Sequence, residues 1–183
     1  MPLEKMKRYI FLTVCLLIFT RSIGQVKNTS YITQTGERVL RLESVLPVDI
    51  KTAWALFTTD DGLKKWIAPQ AHIDLAVGGT IVTNYDKNKP LIDASSITLP
   101  IINYIDNEMI TFKVNLNDNF DKAARAEDKN LQEVVTFKQI APNQTQITSS
   151  MIGWGKGPAW DKTYDFFVKG NEWTYNELLK NYK

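Results

Sequence analysis

Residues 66–81 read WIAPQAHIDLAVGGTI and hold the chain's single histidine, His72, with Asp74 two places on and Gly78-Gly79 close behind. Either a catalytic or metal-binding cluster is starting here, or a strand is turning a corner. Alternation favours the strand. His72 to Val77 and Thr80 to Tyr85 flank a two-residue glycine turn, the spacing of a β-hairpin. Such a turn sets His72, Asp74 and Ala76 opposite Tyr85, Thr83 and Ile81, and Ile73, Leu75 and Val77 opposite Asn84, Val82 and Thr80. The second face is the more apolar and is expected to point inward, leaving His72 and Asp74 on the solvated side or at its rim. A metal site needs three or four ligands, and no second histidine or suitable cysteine accompanies His72.

The flanks agree with a hairpin inside a larger sheet. Upstream, Leu40, Leu42, Ser44 and Leu46 alternate with Val39, Arg41, Glu43 and Val45, a first strand that Pro47 ends. Ile50, Ala53, Trp54 and Phe57 then fall on one face of a short helix. A second short helix runs from Asp60 or Asp61 to Trp66, with its acids at the positive end. Downstream, Ser96–Ile105, Met109–Leu116, Leu131–Ile140 and Thr145–Gly153 read as further strands. The charged link 117–130 has the length of a functional lid, and Phe120, Ala123 and Ala124 suit one helical turn over a cavity. A long helix from about Pro158 to Tyr182 carries Trp160, Tyr164, Phe167, Asn171, Tyr175, Leu178 and Tyr182 on one face. That stripe is too apolar to face water and needs a sheet to lie on. The economical packing is α+β, an antiparallel sheet curved around its C-terminal helix.

The first residues read differently. Lys5, Lys7 and Arg8 precede an apolar run from Tyr9 to Phe19, and small Ser22 and Gly24 follow at cleavage-like spacing, so residues 1–24 are expected to be an export signal. The run falls short of the roughly 20 residues a membrane span needs, which makes an uncleaved anchor the lesser reading and the only route to a membrane. Removal would take Cys15 with it and turn the net charge of +2 into about −1. The product is a periplasmic or secreted chain without a disulfide framework, and no Lys/Arg stripe remains for a nucleic-acid surface. Residues 25–38 are polar and aperiodic, an expected loose arm, and residues 39–183 make one domain with one core.

The residues also carry a resemblance. Leu46-Pro47, Ala53-Trp54, Thr58-Thr59-Asp60, Leu63, Trp66, Pro69, Asp74, Gly78-Gly79 and Gly157-Pro158 resemble the signature of the Hsp90-ATPase-activator-homologue-1-like proteins of the START/Bet v 1-like (SRPBCC) superfamily. The resemblance implies a helix-grip fold: a curved seven-stranded antiparallel sheet holding a long C-terminal helix, two short helices after the first strand, and a hydrophobic cavity between sheet and helix. Two departures stand out, Ile67 in place of a second aromatic and Gly170-Asn171-Glu172-Trp173 in place of a Gly-Trp pair.

Enzyme signatures are weak beside this. A Ser-His-acid triad would have to use His72, and no serine sits in a G-x-S-x-G elbow. Asp60, Asp61, Asp118, Asp121, Glu127 and Asp128 read as solvated acids. Gly153, Gly155 and Gly157 match neither phosphate-loop nor dinucleotide spacing and read as a flexible strand-to-helix connection. No metal and no cofactor is called for. The aromatics are the positive signal: Trp54, Phe57, Trp66, Tyr85, Phe112, Phe137, Met151, Trp154, Tyr164 and Phe167 are expected to face inward and line an apolar ligand pocket. Tyr85, Asn103, Tyr164 and Asn171 would supply its orienting polar groups. The expected partner is therefore a small hydrophobic or amphipathic molecule. Two alternatives use the same fold, an enzyme of cyclase-like or hydrolytic type and a cochaperone-like interaction domain, although export would put cytosolic Hsp90 out of reach.

Overall fold

The computed structural model describes residues 24–182, so the expected export signal lies outside the described residues but for Gly24. The elements in chain order are β1 (Lys27–Asn28), β2 (Tyr31–Ile32), β3 (Arg38–Leu46), α1 (Ile50–Thr58), α2 (Asp60–Lys64), β4 (Gln70–Ile73) and β5 (Thr80–Asn84). There follow β6 (Ile97–Ile105), β7 (Met109–Lys113), α3 (Lys122–Ala126), β8 (Gln132–Ala141), β9 (Gln144–Ile152) and α4 (Pro158–Lys180). Together they make an α+β helix-grip-like fold, an open antiparallel sheet with neighbours in the order β1-β3-β9-β8-β7-β6-β5-β4. Among the described residues the sheet has nine strands, because the N-terminal arm adds two short ones to the seven expected. The arm is thus not loose: Lys27 pairs with Glu43 and Tyr31 with Val39, and the Thr29 amide donates to the Arg41 carbonyl at 2.8 Å.

Alternation along each long strand decides which face is covered. Leu40, Leu42, Ser44 and Leu46 of β3 and Thr145, Ile147, Ser149 and Met151 of β9 are all buried on the inner face, with Leu40 opposite Met151 and Ser44 opposite Ile147. Asp49 starts α1 by accepting from the Lys51 and Thr52 amides at 2.9 and 3.0 Å, satisfying donors that a helix N-terminus leaves open. Trp66 fixes the end of the helical pair to α1 through an Nε1 hydrogen bond to the Leu56 carbonyl at 2.9 Å. At the far end of the chain, Pro158 occupies the first turn of α4, Asp161 lies near its positive end and Lys180 near its negative end. Trp160, Tyr175, Leu178 and Leu179 of its stripe are fully covered, while Tyr164, Phe167, Val168 and Asn171 keep some accessible surface. The ends of α4 are therefore packed down harder than its middle.

The glycine hairpin is wider than its sequence suggests. Strand β4 stops at Ile73 and β5 resumes at Thr80, with His72 opposite Val82 and Ile73 opposite Ile81. Asp74 to Gly79 form the connecting loop, in which Gly78 donates to the Ile101 carbonyl and Gly79 accepts from the Ile101 amide. A side chain at Gly79 would meet the Asp74 carbonyl oxygen at 2.1 Å, so the loop closes only around a glycine. The register differs from that of a two-residue turn. Ala71, Ile73, Ile81 and Thr83 face inward, and Val77, expected inside, is 70% exposed.

The 117–130 link is held in place. Its Asp121 caps α3 by accepting from the Ala123 amide at 2.8 Å, Ala124 is fully buried, and Phe120 stacks on Phe167 at 5.5 Å. Gly153 carries the chain from β9 toward α4 at φ +81°, where an added Cβ would lie 1.9 Å from the Asn130 carbonyl oxygen. The glycine there serves close approach to this link and a left-handed backbone.

Candidate functional site

The interior between sheet and helix contains two separate aromatic clusters. One joins Trp54, Phe57 and Trp66 of the α1–α2 segment to Phe137 of β8 and Tyr175 of α4, with ring centroids 4.6 to 6.3 Å apart. The other joins Trp154, Trp160, Tyr164 and Phe167 to Phe120 of the long link, at 4.9 to 6.3 Å. Offset and edge-on arrangements predominate, as the ring quadrupoles favour.

Between the clusters lies a polar waist. Glu133 of β8 stands half-buried on the inner face, opposite Phe112 of β7 and Met151 of β9. Ser149, buried and diagonal to it across the β8–β9 ladder, donates its hydroxyl to Glu133 Oε1 at 2.5 Å. The Tyr175 hydroxyl descends from α4 and donates to the same oxygen at 3.3 Å. One turn earlier on the helix, the Asn171 amide approaches Met151 Sδ at 3.2 Å. Trp154 completes the link to the second cluster by donating Nε1–H to the Met151 carbonyl at 2.9 Å. Among the described residues, no donor reaches Glu133 Oε2, and no Lys, Arg or His pairs with this carboxyl.

The electrostatics follow from that environment. Burial pushes the Glu133 carboxyl above its ordinary range, against the pull of the Ser149 and Tyr175 hydrogen bonds. The Tyr175 phenol is pushed well above its ordinary value, by burial first and by the neighbouring carboxylate second. Chemically, the waist can hold a proton on Glu133, present an acceptor or an acid O–H at Oε2, and keep both oxygens of one carboxyl distinct in role.

The structure thus brings together most of the residues expected to line a pocket. Trp54, Phe57, Trp66, Phe112, Phe137, Met151 and Trp154 are all buried, and Tyr164 and Phe167 are half-buried. Tyr85 is the exception at 52% exposure: the chain bends after β5, where the Asp86 amide donates to Asn84 Oδ1 at 2.9 Å, and the ring leaves the sheet. Asn103 also faces outward, because a bulge between Ile101 and Asn103 shifts the alternation and turns Tyr104 toward Trp54 instead. Asn171 sits at the waist as expected.

A family model described as Activator of Hsp90 ATPase homolog 1-like protein matches residues 47–182. The chain belongs to that family. No curated protein matches it in sequence. In structure it is similar to a conserved protein of unknown function from Enterococcus faecalis, at TM-score 0.60 and 18% identity over 84% of this chain and 75% of that one. It is also similar to the Aha1 dimer from Colwellia psychrerythraea, at TM-score 0.51 and 15% identity over 73% and 92%. An HSP90 activator from Plasmodium falciparum aligns at TM-score 0.50 and 14% identity over 72% and 88%. At these identities the likeness is one of fold.

Glu133 and Ser149 were not among the expected site residues. The signal was available, since Glu133 shares its strand face with Leu131, Val135 and Phe137, all buried, and a lone acid on an inward stripe is unusual. The opening histidine lies elsewhere in the family fold. His72 is exposed and pairs through Nδ1 with Asp60 Oδ2 at 2.9 Å, while Asp60 Oδ1 accepts from the Ile73 amide at 2.9 Å. Partial burial pushes the Asp60 carboxyl up, but the His72 and Ile73 hydrogen bonds outweigh it and hold the group below its ordinary value. This acid splints α2 to β4. Among the described residues no three His, Cys, Asp or Glu side chains gather as a metal would require. A recess of about 550 Å³ lies away from the waist, between the arm and β3, and is lined by residues including Val26, Lys27, Glu43 and Gln146. Gln25 also lines it, and among the described residues it holds none of the aromatic residues discussed above.

Proposed function

We propose that this chain is a binding module for a small hydrophobic or amphipathic molecule, held between the sheet and α4 and contacted by both aromatic clusters. The observation that carries the reading is the Glu133–Ser149–Tyr175 waist. A core selected for packing alone gains nothing from a carboxyl without a counter-charge, since apolar residues of similar volume are commonly as stable or more so. The partial accessibility of Tyr164, Phe167, Val168 and Asn171 supports α4 as the side on which a ligand enters. Residues 1–24 would deliver the module outside the cytoplasm. Titration with the neutral apolar dye Nile red tests the reading: saturable binding near one dye per chain is expected, and fluorescence that rises without saturation would sink it.

A protein-docking role is the second reading, favoured by Phe166 and Trp173, which stand 58% and 57% exposed on the outer side of α4. It agrees with the description of the Plasmodium protein as an HSP90 activator. A purified Hsp90 that fails to co-elute with the chain, with or without Trp173→Ala, would remove it.

A further inference from the structure

We infer that Glu133 anchors the ammonium group of a lipophilic amine, so that the ligand of this module is a cationic amphiphile; the inference rests on the sheet–helix space being the binding site. Three features of the waist point to a cation. First, the two carboxyl oxygens are divided in role: Oε1 already accepts from Ser149 at 2.5 Å and from Tyr175 at 3.3 Å, whereas Oε2 has no protein donor among the described residues. An ammonium group is the donor that such an oxygen binds most strongly, because the hydrogen bond is then charge-assisted.

Second, the charge balance is incomplete. Each of the ion pairs formed among the described residues uses some other acid, and none involves Glu133. Among the described residues the one titratable side chain bonded to it, Tyr175, is neutral or negative in every state, and the residues directly across on β7 and β9 are Phe112 and Met151. Glu133 keeps some accessible surface, yet its charge has no counter-ion among the described residues, and a ligand cation supplies one. A neutral or anionic ligand leaves the imbalance in place or worsens it.

Third, the walls suit a cation. Trp154, Tyr164 and Phe167 form one aromatic cluster and Tyr175, Phe57 and Trp66 another, joined to the waist through Trp154 and Tyr175, and the negative quadrupole of an aromatic ring attracts an ammonium ion. The Tyr164 ring already receives one cation, with the Arg38 guanidinium 5.2 Å from its centroid.

Competition against bound Nile red at pH 8 compares octylamine with 1-octanol, which share a chain and differ in the head group. Wild-type protein is expected to bind octylamine about tenfold or more tightly than octanol, the ratio of one charge-assisted hydrogen bond. In Glu133→Gln, which keeps an acceptor for Ser149 and Tyr175 but has no charge, the two probes should displace the dye at equal concentration. Octanol displacing the dye as well as octylamine from wild type would overturn the anchor while leaving the binding module standing, and this comparison decides even if the variant fails to fold. An amine preference that survives in Glu133→Gln overturns it too. Absence of dye binding by wild type would remove both the module and its anchor.

Discussion

Replacing Glu133 by glutamine should change how stability depends on pH, and its sign follows from the waist. A glutamine amide keeps an oxygen where Oε1 accepts from Ser149 and Tyr175, so the two hydrogen bonds, worth about 1 kcal/mol each, survive the substitution. What disappears is a proton. Burial raises the native carboxyl above its ordinary value of 4.5, so between that pH and the raised native value the folded state keeps a proton that the unfolded chain has lost. Stability is then highest in acid and falls as pH rises through this window, by at most about 1.4 kcal/mol per pH unit for one proton. Tyr175 does not interfere, because its phenol is pushed well above 10.0. Urea denaturation of both proteins at intervals from pH 4.5 to 8 isolates the term, since every other titrating group is common to the pair. The variant is expected within about 1 kcal/mol of wild type at the acid end and to become the more stable protein as pH rises. Parallel stability curves would show that Glu133 titrates like an exposed acid and would refute the raised carboxyl at the waist.

Other consequences are local. Gly153→Ala must place a methyl group 1.9 Å from the Asn130 carbonyl oxygen at φ +81°, and a loss of at least about 2 kcal/mol in chemical denaturation is expected; a loss under 0.5 kcal/mol, the ordinary range for a surface change, would contradict that close approach. Asp49→Ala removes the acceptor for the Lys51 and Thr52 amides and should cost about 1 kcal/mol, seen as a lower Tm. Asp60→Ala leaves the Ile73 amide without its acceptor and should cost about 1–2 kcal/mol, whereas His72→Ala breaks only the exposed ion pair and should cost less than about 1. The reverse order in thermal unfolding would restore His72 to importance.

Local patterning explains what the sequence disclosed. The alternation in β3, the i, i+3, i+4, i+7 spacing of Ile50, Ala53, Trp54 and Phe57, and the long apolar stripe of α4 are each set by neighbours within one element, and each is found where it was expected. The β4–β5 register was harder, because Asp74 to Gly79 take their conformation from hydrogen bonds to Ile101 on another strand. The same reason moves Asn103 outward: a bulge is a feature of the pairing between β6 and β7, and no residue of β6 announces it alone. Tyr85 follows Ile81 and Thr83 on the inward face of the observed register, but β5 ends at Asn84 and the bend there turns the ring outward. Nine of the ten expected pocket residues are at least half-buried, yet the waist that gives them chemistry was overlooked. Glu133, Ser149 and Tyr175 come from three elements, and only the closed fold brings their oxygens together.

The most direct test of a ligand site at the waist uses methionine methyl groups as reporters. Met151 is completely buried beside Asn171 and opposite Glu133, whereas Met109 lies on the other face of the sheet, opposite exposed Thr136. Carbon-13 methyl spectra recorded while 1-octanol is added should show a saturable shift at Met151 and none at Met109. A shift confined to Met109, or no saturable change at either, would contradict binding between the sheet and α4.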